Sequence, residues 1–373
     1  MRSRRFVFVV FSLLALLHLY IGVRILPALP GSIAWGIMGA LLLALSCVMI
    51  PTALLSRSRN KGGDLLNWIG FLLMGLFSSL LVLCFLRDVT LLIAAPFMNI
   101  DVLVQDSALG VIAVSLLFTL LGLINARRRA RVVTVNVPIA NLAPALEGFT
   151  IAQISDIHVG PTIKRGYLDA IVDAVNALNV DLIAVTGDLV DGSVERLAPH
   201  TQPLHRLRAK HGSFFVTGNH EYYSGAQAWT QEVERLGLRV LNNEHVVVEH
   251  AGAPLVVAGI TDYSAHHFDP ARRSDPHAAV AGAPDAPKIL LAHQPRSAFA
   301  AASAGYDLQL SGHTHGGQFW PWNHFVRFQQ PFTAGLRRID GLLVYISRGT
   351  GYWGPPKRFG APSEITHLRL IRA

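Results

Sequence analysis

Apolar positions run together rather than alternate along the first third of this 373-residue chain, in four stretches at residues 6–26, 33–55, 65–86 and 102–124. Each is long enough to cross a hydrocarbon core, which needs roughly 20 apolar residues. Because they are consecutive and nearly uncharged, they predict an all-α, four-helix transmembrane segment rather than buried core helices. From Val132 onward, short β-branched runs alternate with amphipathic stretches, the pattern of a layered α/β domain. Strands are predicted at 149–155, 181–186, 213–217, 254–260, 288–292, 307–311, 342–347 and 364–370. Helices are predicted at 164–178, 195–210 and 226–236, the last closed by Gly237. The Ala/Pro/His-rich stretch 265–287 reads as an inserted surface loop. The expected division is a four-span domain over 1–131 and a second domain over 132–373.

Composition sharpens this picture. Hydrophobic residues make up 51% of the chain and charged residues 15%, and mean hydropathy is +0.39, too apolar for an ordinary soluble enzyme. Through Arg131 there are twelve Lys/Arg against four Asp/Glu, and after it twenty against twenty, so the whole net charge of +8 lies with the apolar runs. The basic pI is therefore no sign of nucleic-acid binding, and no nucleic acid is expected as a partner. Fifteen of the sixteen histidines follow residue 131, which separates membrane insertion from imidazole chemistry. Cys47 and Cys84 lie in apolar runs and read as small buried hydrophobes.

Arg2, Arg4 and Arg5 precede the first run; Arg57, Arg59 and Lys61 join the second and third; Arg127, Arg128, Arg129 and Arg131 follow the fourth. Cations gather on the cytoplasmic face of a membrane, so these clusters predict a cytoplasmic C-terminal domain. The arginines before the first run have a twin-arginine flavour, but three more runs follow and no convincing cleavage site does. His18 and Arg24 read as interhelical or snorkelling residues rather than a proton path.

The second domain carries a series of metal-type ligands: Asp156-Ile157-His158, Gly187-Asp188, Gly218-Asn219-His220-Glu221, His293 and Gly312-His313-Thr314-His315. Asp156, Asp188, Asn219, His293 and His313 each follow a predicted strand closely, which gathers them at one sheet edge, where open α/β sheets place their sites. With one extended residue between them, Asp156 and His158 would point to the same side and hold one cation together. Carboxylate, amide and imidazole donors without thiolate favour Mn²⁺ or Fe²⁺, with Mg²⁺ and Zn²⁺ also fitting, over a structural zinc finger. Asp188, just after a buried strand, can bridge two such cations. A water between them would lose its proton near neutral pH and attack phosphorus in line.

In this order the motifs resemble the calcineurin-like metallophosphoesterase superfamily, over about residues 149–370. They look most like its membrane-anchored bacterial branch, whose GHTHGGQ stretch corresponds to residues 312–318. The resemblance implies a layered β-sandwich flanked by helices. It implies one metal on Asp156, His158, Asp188 and His315, a second on Asp188, Asn219, His293 and His313, and His220 as the catalytic group at the scissile phosphate and leaving group. A comparable Arg-Gly stretch in that branch points weakly to Arg348 and Arg358 as substrate-binding residues.

Four spans holding such a domain at the inner membrane of a bacterium suggest a phosphoester or pyrophosphate hydrolase, phosphodiesterase-like, whose partners are the lipid bilayer and a membrane-associated or lipid-linked substrate. Some members of the similar branch act on nucleotide-linked acylated sugars of lipid A synthesis. The alternatives are an anchored enzyme for soluble nucleotides or phosphoproteins, or a metal domain regulating a transport or sensory module. Glu221 reads equally as a hydrogen-bond partner of a site loop or a cap. Trp320, Trp322, Phe325 and Trp353 suit core packing, an apolar groove or the membrane interface. His266, His267 and His277 read as solvated, and His200, His205, His211, His245, His250 and His324 as structural.

Overall fold

A computed structural model describes residues 4–31, 33–56 and 63–373; Arg2, Arg57, Arg59 and Lys61 lie outside them. The chain divides into two compact units. One comprises the N-terminal part to Ile124 together with Gly354–Lys357; the other comprises Asn125–Trp353 and Arg358–Ala373. The division thus falls ahead of residue 131, and a short C-terminal stretch returns to the helical unit.

The helical unit contains α1 (Arg4–Ile25), α2 (Ile33–Ser56), α3 (Gly63–Ala94) and α4 (Asp101–Arg127), all long and apolar enough to cross a membrane. Several of its polar side chains find partners within it. His18 Nε2 lies 3.1 Å from Ser46 Oγ, Arg24 pairs with Asp88 at 2.9 Å, and buried Arg87 donates to Ser107 Oγ and the Val104 carbonyl at 2.9 Å each. Buried polar groups in such a bundle must be satisfied by one another. Cys47 and Cys84 are both free, and Cys84 is buried.

The second unit stacks two six-stranded sheets. With β1 (Arg131–Ile139), β2 (Thr150–Ile154), β3 (Leu182–Val185), β4 (Ser213–Phe215), β5 (Arg239–Val240), β6 (Glu244–His250), β7 (Ala253–Gly259), β8 (Lys288–Leu291), β9 (Leu308–Ser311), β10 (Gly335–Ile339), β11 (Leu342–Ile346) and β12 (Glu364–Arg372), the orders are β1-β12-β2-β3-β4-β5 and β10-β11-β9-β8-β7-β6. Leu182, Ala184 and Phe214 from the first sheet meet Val257, Leu291 and Leu310 from the second in the core between them. The first sheet's other face is covered by α5 (Arg165–Asn176), α6 (Val194–Thr201) and α8 (Ala226–Arg235), with α7 (Asn219–Ser224) between the last two; α9 (Pro276–Val280) and α10 (Ala298–Ser303) cover the second. Central strands are therefore buried on both faces and read as continuous apolar runs, as Leu182-Ile183-Ala184-Val185 does.

All eight predicted strands form. β1, β6 and β10 lie at or beside sheet edges with part-exposed alternating patterns, a weaker signal than an apolar run. The helix predicted over 195–210 stops at Thr201 and continues as a 3₁₀ turn over Gln202–Arg206, because Pro203 supplies no backbone N–H.

Trp229 of α8 is fully buried, and its Nε1 donates to the Gly192 carbonyl at 2.8 Å, bracing the loop after β3. Trp229→Ala should destabilise the unit by about 3–5 kcal/mol, measured by denaturant unfolding of the purified chain.

Candidate metal centre

Strand ends from both sheets deliver the candidate ligands. Asp156 and His158 follow β2, Asp188 follows β3, and Asn219 and His220 open α7 after β4; His293 follows β8, and His313 and His315 follow β9. The gathering is therefore across two stacked sheets, not along one edge. Asp156, His158, Asp188, His313 and His315 all have φ between 52° and 69°. The expected extended Asp-x-His geometry is thus corrected: both ends of that tripeptide are left-handed, and the two side chains converge by a turn. Holding a non-glycine residue there costs on the order of 1–3 kcal/mol, so packing must enforce it.

Two motif glycines explain part of the enforcement. A Cβ on Gly312 would lie 2.0 Å from Ser155 Oγ and 2.1 Å from Asp156 Oδ2; one on Gly218 would lie 2.2 Å from Asp188 Oδ1. Those approaches let backbone N–H groups reach the carboxylates: His313 N–H donates to Asp156 at 2.9 Å, and His220 N–H to Asp188 Oδ1 at 2.8 Å.

The side chains form two groups around one oxygen. In the first, His158 Nε2 and His315 Nε2 are 3.0 Å apart, with Asp156 Oδ1 3.5 Å from His315 Nε2. In the second, His313 Nδ1 lies 3.0 Å from Asn219 Oδ1 and 3.2 Å from His293 Nε2. Asp188 Oδ2 is 3.8 Å from His158 Nε2 and 3.2 Å from His293 Nε2. Donors bound to one cation at about 2.0–2.2 Å and near right angles are about 3 Å apart, so facing imidazole nitrogens at this spacing fit cation binding. His293 Nδ1 faces the Thr186 carbonyl at 2.8 Å; donating there leaves Nε2 its lone pair toward the centre.

Electrostatics match this packing. Burial pushes the Asp188 carboxyl up, but the His293 and His220 imidazoles beside it outweigh that and hold it well below the ordinary range. Burial would lower His293, and the Asp188 charge instead raises it well above the ordinary imidazole value. Burial, then the His293 charge, hold His313 down to about 3, and burial with His158 lowers His315; both stay neutral and free to donate lone pairs.

Glu221 occupies the loop-bracing position. It is fully buried and accepts backbone N–H groups from Asp188 (2.9 Å), Leu189 (2.8 Å), Val190 (3.3 Å) and Gly218 (2.7 Å). Burial and the Asp188 charge push its carboxyl up to about 8, while four donors on both oxygens favour the carboxylate.

Sequence reasoning missed Asp191. Its Oδ1 lies 2.5 Å from His220 Nδ1 and 3.4 Å from His158 Nδ1; the available signal was a second carboxylate three residues after Asp188. Asp262, after β7, was also missed: it is buried, raised by that burial, and held 3.1 Å from Gln294 Nε2. Around His220 stand Tyr223 and Trp353, with ring centroids at 5.2 and 5.8 Å, and Phe268 of the 265–287 insertion packs on Tyr223.

Arg358, expected to bind substrate, has its guanidinium turned to the protein. It is buried, donates to the carbonyls of His315 (2.8 Å), Arg348 (2.7 Å) and Gly351, and lies 3.1 Å from His315 Nδ1; it braces the histidine loop. Arg348 is part-exposed and pairs with Glu364 at 2.8 Å. The His266 and His267 rings lie 3.9 Å apart, tilted by 43°, and His277 meets Ser303. His211 and His250 approach at 2.9 Å near Asp181, just ahead of β3 and β4 and so at the opposite strand ends.

A sheet sandwich with oxygen and imidazole donors at its strand ends defines a metallohydrolase-type site. Residues 149–317 match the family model described as calcineurin-like phosphoesterase. The chain is 39% identical over 261 residues to a "Transmembrane protein with metallophosphoesterase domain" of Danio rerio, covering 68% of this chain and 60% of that protein. It is 33% identical over 274 residues to an uncharacterised metallophosphoesterase of Campylobacter jejuni, covering 72% and 70%. A 5'-nucleotidase precursor from Thermus thermophilus aligns over 60% of this chain and 54% of its own, at 16% identity and a TM-score of 0.39. The chain belongs to the calcineurin-like metallophosphoesterase family. Its match spans about three fifths of the length of the first vertebrate relatives.

Glu221→Gln sets an amide N–H against backbone donors; it should cost about 1–3 kcal/mol and lower bound metal, read by unfolding and metal analysis. His313, ordinarily near 6.5, is held to about 3. As pH falls through that window the unfolded chain takes a proton that the folded chain refuses, and stability is lost. Metal-free His313→Gln should therefore lose less stability than the parent between neutral pH and about pH 5, read by denaturant midpoints.

Proposed function

We propose that this chain is a membrane-tethered, dinuclear metal-dependent phosphoester hydrolase, phosphodiesterase-like, acting on a membrane-associated or lipid-linked substrate. The observation that carries it is Asp188: one carboxylate oxygen lies within 4 Å of imidazoles from both donor groups. In this reading Asp156, His158, Asp188 and His315 hold one cation and Asp188, Asn219, His293 and His313 the other, Mn²⁺ or Fe²⁺ fitting the donors best and Mg²⁺ or Zn²⁺ also fitting. Such cations would supply charge to phosphoryl oxygens and lower the pKa of a water.

The chain's own residues do the rest. Asp191 orients His220 through Nδ1, leaving Nε2 to face the phosphate and give a proton to the leaving oxygen. Tyr223 and Trp353 flank that imidazole, with ring centroids at 5.2 and 5.8 Å. Arg348, part-exposed and paired with Glu364 at 2.8 Å, is the arginine this reading assigns to a substrate oxygen. The four apolar helices support a tether, and the arginines after α4 support an inner-membrane chain with this domain in the cytoplasm.

The full chain in detergent should cleave a chromogenic phosphodiester with added Mn²⁺ and stop with chelator. Asp188→Asn should abolish cleavage and lose metal; His220→Ala should keep its metal and lower kcat about 10²–10⁴-fold. Cleavage that survives Asp188→Asn would contradict the reading.

A further inference from the structure

The segment immediately after His315 is an aromatic loop with no acidic residue. Between Gln318 and Ile339 the only charged residues are Arg327, Arg337 and Arg338, and the aromatics are Phe319, Trp320, Trp322, Phe325, Phe328 and Phe332. Two successive 3₁₀ turns, Trp322–His324 and Val326–Phe328, carry its tip. Residues three apart eclipse on a 3₁₀ turn, and Trp322, Phe325 and Phe328 accordingly form one row, with centroids 5.8 and 6.2 Å apart. They are 42%, 51% and 73% exposed, and Arg327 lies over the Phe328 ring at 5.3 Å. Among the described residues after Arg131, this one loop holds three of the nine large apolar side chains that are exposed.

The loop's root is firmly built. Gln318 exchanges hydrogen bonds with Trp353 at 2.8 and 2.9 Å, and Trp320 N–H donates to the Phe359 carbonyl at 2.9 Å. Trp353 and Phe359 bracket the stretch that contains Gly354–Lys357, which belongs to the helical unit. There Lys357 Nζ donates to the Gly75 carbonyl at 2.8 Å and Ser79 Oγ at 2.5 Å, both on α3. The aromatic loop is thus hydrogen-bonded to the two residues, Trp353 and Phe359, that flank this stretch in the sequence.

We propose that Trp322, Phe325 and Phe328 dip into the bilayer interface, with Arg327 meeting anionic lipid phosphate. Aromatic rings and arginine are the side chains suited to that boundary, apolar body inward and charge at the headgroups. Docked this way, the loop leading out of the histidine motif holds the metal centre at the lipid surface and admits headgroup phosphoesters from there. The inference rests on the membrane-tethered reading above.

The test reads depth without turnover. On a Cys47→Ser, Cys84→Ala background, the full chain carries Phe325→Cys, Phe328→Cys or, as control, Glu249→Cys, each labelled with an environment-sensitive fluorophore. It is reconstituted in nanodiscs of phosphatidylcholine and phosphatidylglycerol, with or without brominated acyl chains. The labels at 325 and 328 should be blue-shifted and quenched several-fold more by bromolipid than the label at 249. Water-like emission and equal quenching at all three sites would overturn the proposal. Should the cysteine-free background misfold, Phe325→Ser with Phe328→Ser in the parent chain serves instead: bromolipid quenching of intrinsic tryptophan fluorescence should fall, and unchanged quenching would overturn it. Because no measurement uses activity, failure here leaves the hydrolase chemistry standing, and loss of that chemistry with the tether intact leaves this one standing.

Discussion

A single buried carboxylate organises the second unit. Asp188 draws imidazoles from both sheets toward one oxygen, while its other oxygen accepts the His220 N–H and its own backbone N–H is given to Glu221. Burying an anion is expensive unless it is paired and hydrogen-bonded on every side, and this one is. The left-handed backbone at Asp156, His158, Asp188, His313 and His315 is the conformational cost of pointing those donors inward. It is sustained by glycines that permit close approach and by Glu221, which ties the loop after β3 to the start of α7.

Much of this was legible in the sequence, for identifiable reasons. Central strands announced themselves because burial on both faces demands unbroken apolar runs, and the spans because a bilayer demands length. Most of the ligand motifs were legible because they pair a donor with a glycine; His293, in Ala292-His293-Gln294, has none. Edge strands such as β6 and β10 escaped notice, since exposure on one side dilutes the apolar signal. The sandwich came from the family resemblance and not from the residue pattern: nothing in Ile289-Leu290-Leu291 says which sheet it joins. The burial of Arg358 was not legible, because a cation beside glycines and aromatics reads as a phosphate contact, and its bonds to His315 depend on the fold. Asp191 escaped because its role depends on the turn after β3 bringing it against His220.

The division between the units follows the same logic of solvent. Apolar helices satisfy their polar side chains internally, as Arg87 and His18 do, whereas the sandwich concentrates its polar groups at strand ends where chemistry requires them. Family membership accounts for the sandwich.

The central claim is that Asp188 is shared by two cations. The most direct measurement is metal content together with electron paramagnetic resonance of the full chain loaded with Mn²⁺. Two equivalents per chain, with an exchange-coupled signal that vanishes in Asp188→Asn, is the predicted result. A single equivalent, or two with no magnetic coupling, would contradict it.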